Sequence, residues 1–126
     1  YHVNAHIPSE KYLIPTDLKL TPFKGLTVEP ALYPTPIQKA MEFVEGKKLA
    51  LYEGKFVIGL IARAGKDLPV GRQTLKGTLR YQACNDQVCL PPDDIPVEIV
   101  FDVITPGQPS RPVNASLFAQ PPFKKQ

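Results

Sequence analysis

Apolar and polar residues alternate with period two over much of the chain, in short runs. From Thr74 to Ala83, Leu75, Leu79, Tyr81 and Ala83 share one face, while Thr74, Lys76, Thr78, Arg80 and Gln82 share the other. That is the pattern of a half-buried strand. Ile95, Val97, Ile99, Phe101 and Val103 repeat it, and Leu18 and Leu20 alternate with Asp17, Lys19 and Thr21. Shorter candidates are Tyr1 to Asn4, Leu26 to Glu29, Gln38 to Val44 (Met41 and Phe43 on one face) and Leu49 to Tyr52. Lys55 to Arg63 contains the apolar stretch Phe56 to Ala62, which is apolar on both faces and therefore predicts a central strand. Turns are expected at Pro22 to Gly25, Glu45-Gly46-Lys47, Glu53-Gly54 and Gly65 to Gly71, and His6 to Pro15 reads as a loop. Pro30 to Pro36 holds three prolines, which excludes a central strand and predicts an exposed, stiff loop. About eight short strands with turn signals every ~8–12 residues predict an all-β fold. The simplest form is an immunoglobulin-like antiparallel β-sandwich over residues 1–105. Residues 106–126 read as a Pro-rich tail or linker, with Leu117-Phe118 docking back.

Composition sharpens this picture at two points. Fifteen of 126 residues are proline, well above the usual ~5%, which disfavours long helices and suits stiff connections. Net charge is +3 with both signs interspersed, and basic residues adjoin only in pairs such as Lys124-Lys125 and Lys47-Lys48. No stripe suited to phosphates results, so nucleic acid is not expected as a partner. The seven apolar residues from Phe56 to Ala62 are too few to span a bilayer. The chain opens within a strand-like segment and no signal peptide precedes it, which reads as a mature or trimmed chain.

The candidate chemistry lies in Tyr81-Gln82-Ala83-Cys84-Asn85-Asp86-Gln87-Val88-Cys89-Leu90-Pro91-Pro92, which contains both cysteines. With Cys84 ending one strand and Cys89 starting its partner, Asn85 to Val88 forms a four-residue hairpin connection. Residues flanking such a loop lie about 4.5–5.5 Å apart at Cα, within the ~4.4–6.8 Å that disulfides span. A bridge there closes a loop of about six residues, for which chain entropy gives roughly 2 kcal/mol. So local a staple adds little to a domain of this size, and a hairpin tip is reachable by partners. Three readings follow from spacing: a redox pair, a structural hairpin clip, and metal binding. The spacing is not Cys-x-x-Cys, so the thioredoxin argument does not apply. Asp86 raises and Arg80 lowers the pKa of a nearby thiol, and no helix N-terminus is predicted here. A pair attacked by an incoming thiolate fits better than a permanently poised nucleophile.

Thr78-Leu79-Arg80-Tyr81-Gln82-Ala83-Cys84-Asn85-Asp86, followed by Cys89-Leu90-Pro91-Pro92, resembles the N-terminal periplasmic domain of the DsbD thiol:disulfide interchange family. Ala50-Leu51-Tyr52-Glu53-Gly54-Lys55 is similar to that family's segment before its central strand, and Tyr1-His2-Val3-Asn4 to its first active-site strand. The resemblance covers about residues 1–103. It implies an immunoglobulin-like fold, no cofactor, and a periplasmic module that passes reducing equivalents between thioredoxin-fold proteins. The donor it implies is a thioredoxin-like domain, the acceptors are disulfide-isomerase-type proteins, and a membrane-embedded domain belongs to the same full-length protein. Cys89 is then the cysteine that forms mixed disulfides and Cys84 the resolving one. A cap loop with an aromatic tip shields the pair in this family. The matching loop is Pro30 to Pro34, with Leu32 at the tip position and Tyr33 beside it. His2 and Asn4 stand where tyrosines often line the site, and the loop between the cysteines is one residue shorter than in the best-known members.

Other candidates have plainer readings. His2 and His6 read as exposed polar residues; if His2 lies beside the sulfurs, its role is to hydrogen-bond or polarise a thiol. Asp86 reads first as the residue that caps its own turn. Asn114-Ala115-Ser116 fits a glycosylation sequon by chance. No Ser-His-Asp set, paired-carboxylate site or phosphate loop is recognisable.

Overall fold

A computed structural model describes residues 1–40, 47–110 and 113–123. It is an antiparallel all-β sandwich. The strands are β1 (His2–Asn4), β2 (Asp17–Leu20), β3 (Leu26–Val28), β4 (Ile37–Ala40), β5 (Lys48–Tyr52), β6 (Ala62–Ala64), β7 (Gly71–Tyr81), β8 (Ala83–Cys84) and β9 (Asp93–Val103), with one short helix, α1 (Ala115–Phe118). They form a four-stranded sheet in the order β4-β5-β1-β8, a three-stranded sheet β2-β7-β9, and a ribbon β3-β6. The segment 41–44 of the expected fourth strand, the turn at Glu45-Gly46 and the Lys124-Lys125 pair lie outside the described residues.

The long β7–β9 pair carries the alternation that the sequence predicts. Their register runs from Gly71 opposite Val103 to Tyr81 opposite Asp93. Inward positions such as Leu75, Leu79, Val97, Ile99 and Phe101 are buried or half-buried, and outward ones such as Lys76, Thr78, Arg80, Glu98 and Val100 are exposed. On the outer face the register sets Arg72 beside Asp102 at 3.4 Å and Arg80 beside Asp94 at 3.3 Å, pairs that favour this register over a slip by one residue. Pro96 is tolerated because β9 is an edge strand. Gly77 faces β2, where a Cβ would stand 2.6 Å from the Lys19 carbonyl oxygen.

The expected strand Thr74 to Ala83 is broken at Gln82. β7 stays in the three-stranded sheet, whereas Ala83 and Cys84 pair with β1 in the other sheet. Gln82 holds this crossover: its Oε1 accepts from Asn4 Nδ2 at 3.1 Å and from the Ile14 amide at 3.2 Å.

The central strand is β5, not Lys55 to Arg63. Leu49, Ala50, Leu51 and Tyr52 are buried on both faces of the four-stranded sheet. Leu49 and Leu51 pack with Leu13 from the loop before β2; Ala50 and Tyr52 pack with Ala5, Val3, Tyr33 and Phe56 on the other face. The apolar run Phe56 to Ala62 is spent on several partners in turn. Phe56 joins the Tyr52 cluster, Gly59 bridges Leu32, and only Ala62–Ala64 forms a ladder, with β3. Pro30 to Pro36 is correspondingly not the exposed loop expected, since Leu32 and Tyr33 are half-buried.

Part of the tail folds back, through Phe123 rather than through Leu117-Phe118. Phe118 and Phe123 pack with ring centroids 4.7 Å apart, and the Phe123 ring lies where a Cβ on Gly59 would stand, 2.6 Å away. Gly59→Ala should therefore displace Phe123, a side-chain tip that can move, and leave the sheets intact. Amide hydrogen exchange should show protection lost around 113–123 and kept in β7 and β9; unchanged protection throughout would rule out this docking.

Candidate functional site

Cys84 and Cys89 form a disulfide across a hairpin tip, with Cα atoms 4.0 Å apart. Two hydrogen bonds flank the pair, Leu90 N–H to the Ala83 carbonyl at 2.8 Å and Asn85 N–H to the Val88 carbonyl at 2.9 Å. The cysteines therefore occupy a non-hydrogen-bonded pair, the closer of the two antiparallel positions. The turn is capped by Asn85, whose Oδ1 accepts from the Gln87 and Val88 amides at 2.9 and 2.8 Å. The capping role expected of Asp86 thus falls to Asn85, because an Asx turn uses the residue two before the amide it binds. The Asp86 side chain is left on the surface. Arg80 points to the outer face and is engaged by Asp94.

The two sulfurs differ in access. Cys84 is completely buried, at 0% exposure, whereas Cys89 is half-buried between exposed Val88 and Leu90. Cys84 owes its burial to β1, where His2 lies directly opposite it.

His2 is buried, not exposed as its place near the start of the chain implied. Alternation along β1 puts His2 and Asn4 on the same face as Cys84 and Val3 on the other. His2 Nε2 is buried without a hydrogen-bond partner among the described residues. Burial lowers the His2 pKa, helped by the positive charge of Lys39 and opposed by Asp86 and Glu53. Tyr1, His2, Lys39, Glu53, Asn85 and Asp86 line an open polar cleft of about 410 Å³ beside the hairpin. An ion pair, Lys39 to Glu53 at 3.7 Å, closes its far side. Sequence reasoning did not single out Lys39 or Glu53. The signal for Glu53 was the Glu53-Gly54 turn at the end of the buried strand β5.

Asn4 faces the same side but has no free donor to offer the sulfurs. Its Nδ2 donates to the Ile14 carbonyl at 2.9 Å and to Gln82, and its own carbonyl accepts from Thr16 Oγ1 at 2.6 Å. It ties the 5–16 loop to the crossover behind Cys84. Tyr81 is half-buried at the end of β7, opposite Asp93.

Leu32 and Tyr33 are placed elsewhere. Leu32 exchanges two 2.8 Å backbone hydrogen bonds with Gly59. Tyr33 stacks on His6 at 3.8 Å, accepts from the Leu18 amide at 3.0 Å and packs against Ala50 and Tyr52. Ala50 and Tyr52 occupy the face of the sheet opposite to that of His2 and Cys84. The contacts of Leu32 and Tyr33 are thus with the sandwich, and neither lines the cleft beside the hairpin. His6 is also engaged away from the sulfurs, with Nδ1 donating to the Thr16 carbonyl at 2.9 Å.

Fold and site together define an antiparallel β-sandwich with a hairpin disulfide at its edge, one sulfur half-buried and the other fully buried. A family model for the N-terminal domain of the thiol:disulfide interchange protein DsbD matches residues 3–100. The chain belongs to this family. Comparison with curated proteins and with solved structures gave no significant match. The family's domain is a periplasmic one that works in electron transfer, and no helix among the described residues is long and apolar enough to cross a membrane.

Proposed function

We propose that this protein is a periplasmic dithiol–disulfide exchange module that relays reducing equivalents between thioredoxin-fold proteins through Cys84 and Cys89. The observation that carries the reading is the unequal access of the two sulfurs, with Cys84 at 0% exposure and Cys89 at the hairpin edge. A thiolate on a thioredoxin-like donor attacks Cys89 Sγ. The Cys84–Cys89 bond breaks, its electron pair leaves on Cys84, and a donor–Cys89 disulfide forms. The donor's second thiol, losing its proton, attacks the donor sulfur of this mixed disulfide. The donor departs oxidised, and both cysteines are left reduced after taking up two protons. The same steps in reverse pass the two electrons to an oxidised, disulfide-isomerase-type acceptor.

The hairpin has fastenings besides the S–S bond. Its two flanking backbone hydrogen bonds and the Asn85 cap hold the turn, so opening the bridge leaves the cysteines in place to reclose. The test is the equilibrium of the pair against glutathione and against a reduced thioredoxin. A working bond should have a reduction potential above about −300 mV and be reduced by the thioredoxin. A potential below that value, with no reduction by the protein reductant, would return the bridge to a purely structural role.

A further inference from the structure

The exchange steps leave one buried group beside the sulfurs unused. His2 stands directly opposite Cys84 on β1. Opposed residues of an antiparallel pair project to the same face, with Cβ atoms roughly 4.5–5.5 Å apart, within reach of an imidazole side chain. Both residues are buried, and His2 Nε2 finds no partner among the described residues. A buried polar nitrogen without a partner carries a desolvation cost, and at a functional site it points to a second state in which the partner exists. In the disulfide, Cys84 Sγ is a weak acceptor. In the mixed disulfide it is a thiolate, cut off from water by the burial of Cys84, and it then needs a donor.

We propose that His2 Nε2–H donates the hydrogen bond that receives the Cys84 thiolate as it leaves, so that His2 sets how readily this disulfide opens. The inference rests on the exchange reading above and adds a role that the cysteines alone do not specify. When the donor thiolate bonds to Cys89 Sγ, the old S–S electron pair is localised on Cys84 Sγ, and the His2 N–H stabilises it without itself losing a proton. Three charged side chains face the ring: Lys39 from β4, Glu53 from the end of β5 and Asp86 from the hairpin. The lowered His2 pKa keeps the ring neutral around pH 7, so it acts as an N–H donor and not as a charge. A leaving thiolate with lower pKa leaves faster, and a hydrogen bond to an ionised group is among the stronger ones.

The test compares His2→Phe, which keeps the ring volume without a donor, with His2→Gln, which keeps an amide N–H at similar reach. In a Cys89→Ser background the Cys84 thiol is titrated alone, by thiolate absorbance. His2→Phe should raise the Cys84 pKa by about one unit and His2→Gln by much less. In the two-cysteine protein, His2→Phe should slow reduction by dithiothreitol and by a reduced thioredoxin about tenfold, with His2→Gln near wild type. An unchanged Cys84 pKa in His2→Phe, or equal effects of Phe and Gln, would overturn the role of His2. A wild-type disulfide that the thioredoxin cannot open would sink the exchange reading, and the Cys84 titration would still decide the role of His2.

Discussion

Cys84→Ser should form a stable covalent complex with a thioredoxin-fold partner, and Cys89→Ser should form essentially none. The partner for this experiment is a thioredoxin with a single active-site cysteine, loaded as a mixed disulfide with a chromogenic thiol. In Cys84→Ser, the Cys89 thiolate attacks the partner sulfur, expels the chromophore and forms the protein–protein disulfide. No second thiol on either chain can resolve it, so it accumulates. In the reduced wild type, the same complex forms and is then opened by Cys84, which closes the intramolecular bridge. In Cys89→Ser the remaining thiol is fully buried under β1. Its reaction requires a local opening costing a few kcal/mol, so chromophore release should slow by at least about a hundredfold. Equal trapping by the two variants, or faster trapping by Cys89→Ser, would overturn the assignment of Cys89 as the outward sulfur.

That asymmetry was only partly legible in the sequence. Cysteines five apart at the end of an alternating strand define a hairpin, because loop length and pairing distance are local properties. Which sulfur is covered depends on β1, more than eighty residues away in sequence but opposite in register. The same reasoning explains the other differences. Thr74 to Ala83 alternates without a fault, so nothing local marks Gln82 as the place where the chain changes sheets; the mark is its hydrogen bond to Asn4, 78 residues distant. Phe56 to Ala62 is apolar on both faces, which periodicity cannot distinguish from a central strand. The central position belongs instead to β5, which the sequence shows as two alternating leucines while Ala50 and Tyr52 fill the second face. His2 reads as exposed because polar residues near a chain end are usually solvated; pairing across the ladder with Cys84 is what buries it. The resemblance puts Leu32 and Tyr33 in the cap loop; their contacts in the structure are with Gly59, His6 and Tyr52, partners far off in sequence that no local motif names.

Leu51→Ala should be the most damaging single truncation for stability and should leave the thiol chemistry unaltered. Leu51 is fully buried in the central strand and packs with Leu13 and Leu49. It also stands opposite Asn4 on β1, so the cavity would open beside the Asn4–Gln82 contact that fixes the crossover. Large-to-small changes of this kind cost about 2–5 kcal/mol, a sizeable part of the ~5–15 kcal/mol that holds a domain together. The Ser9 hydroxyl, which accepts from the Ala50 amide at 2.8 Å, and the Asn4 network tether the loop carrying Leu13, limiting its collapse into the gap. The cost should therefore lie in the upper part of the range. Val100→Ala, 56% exposed on the edge strand, should shift the urea midpoint by no more than ~0.5 kcal/mol equivalent. Below the new midpoint, Leu51→Ala should keep the wild-type reduction potential, because His2, Cys84 and Cys89 are held by β1 and the hairpin hydrogen bonds. A potential that moves with the loss of stability would show instead that the sulfur pair and the β5 core respond as one unit.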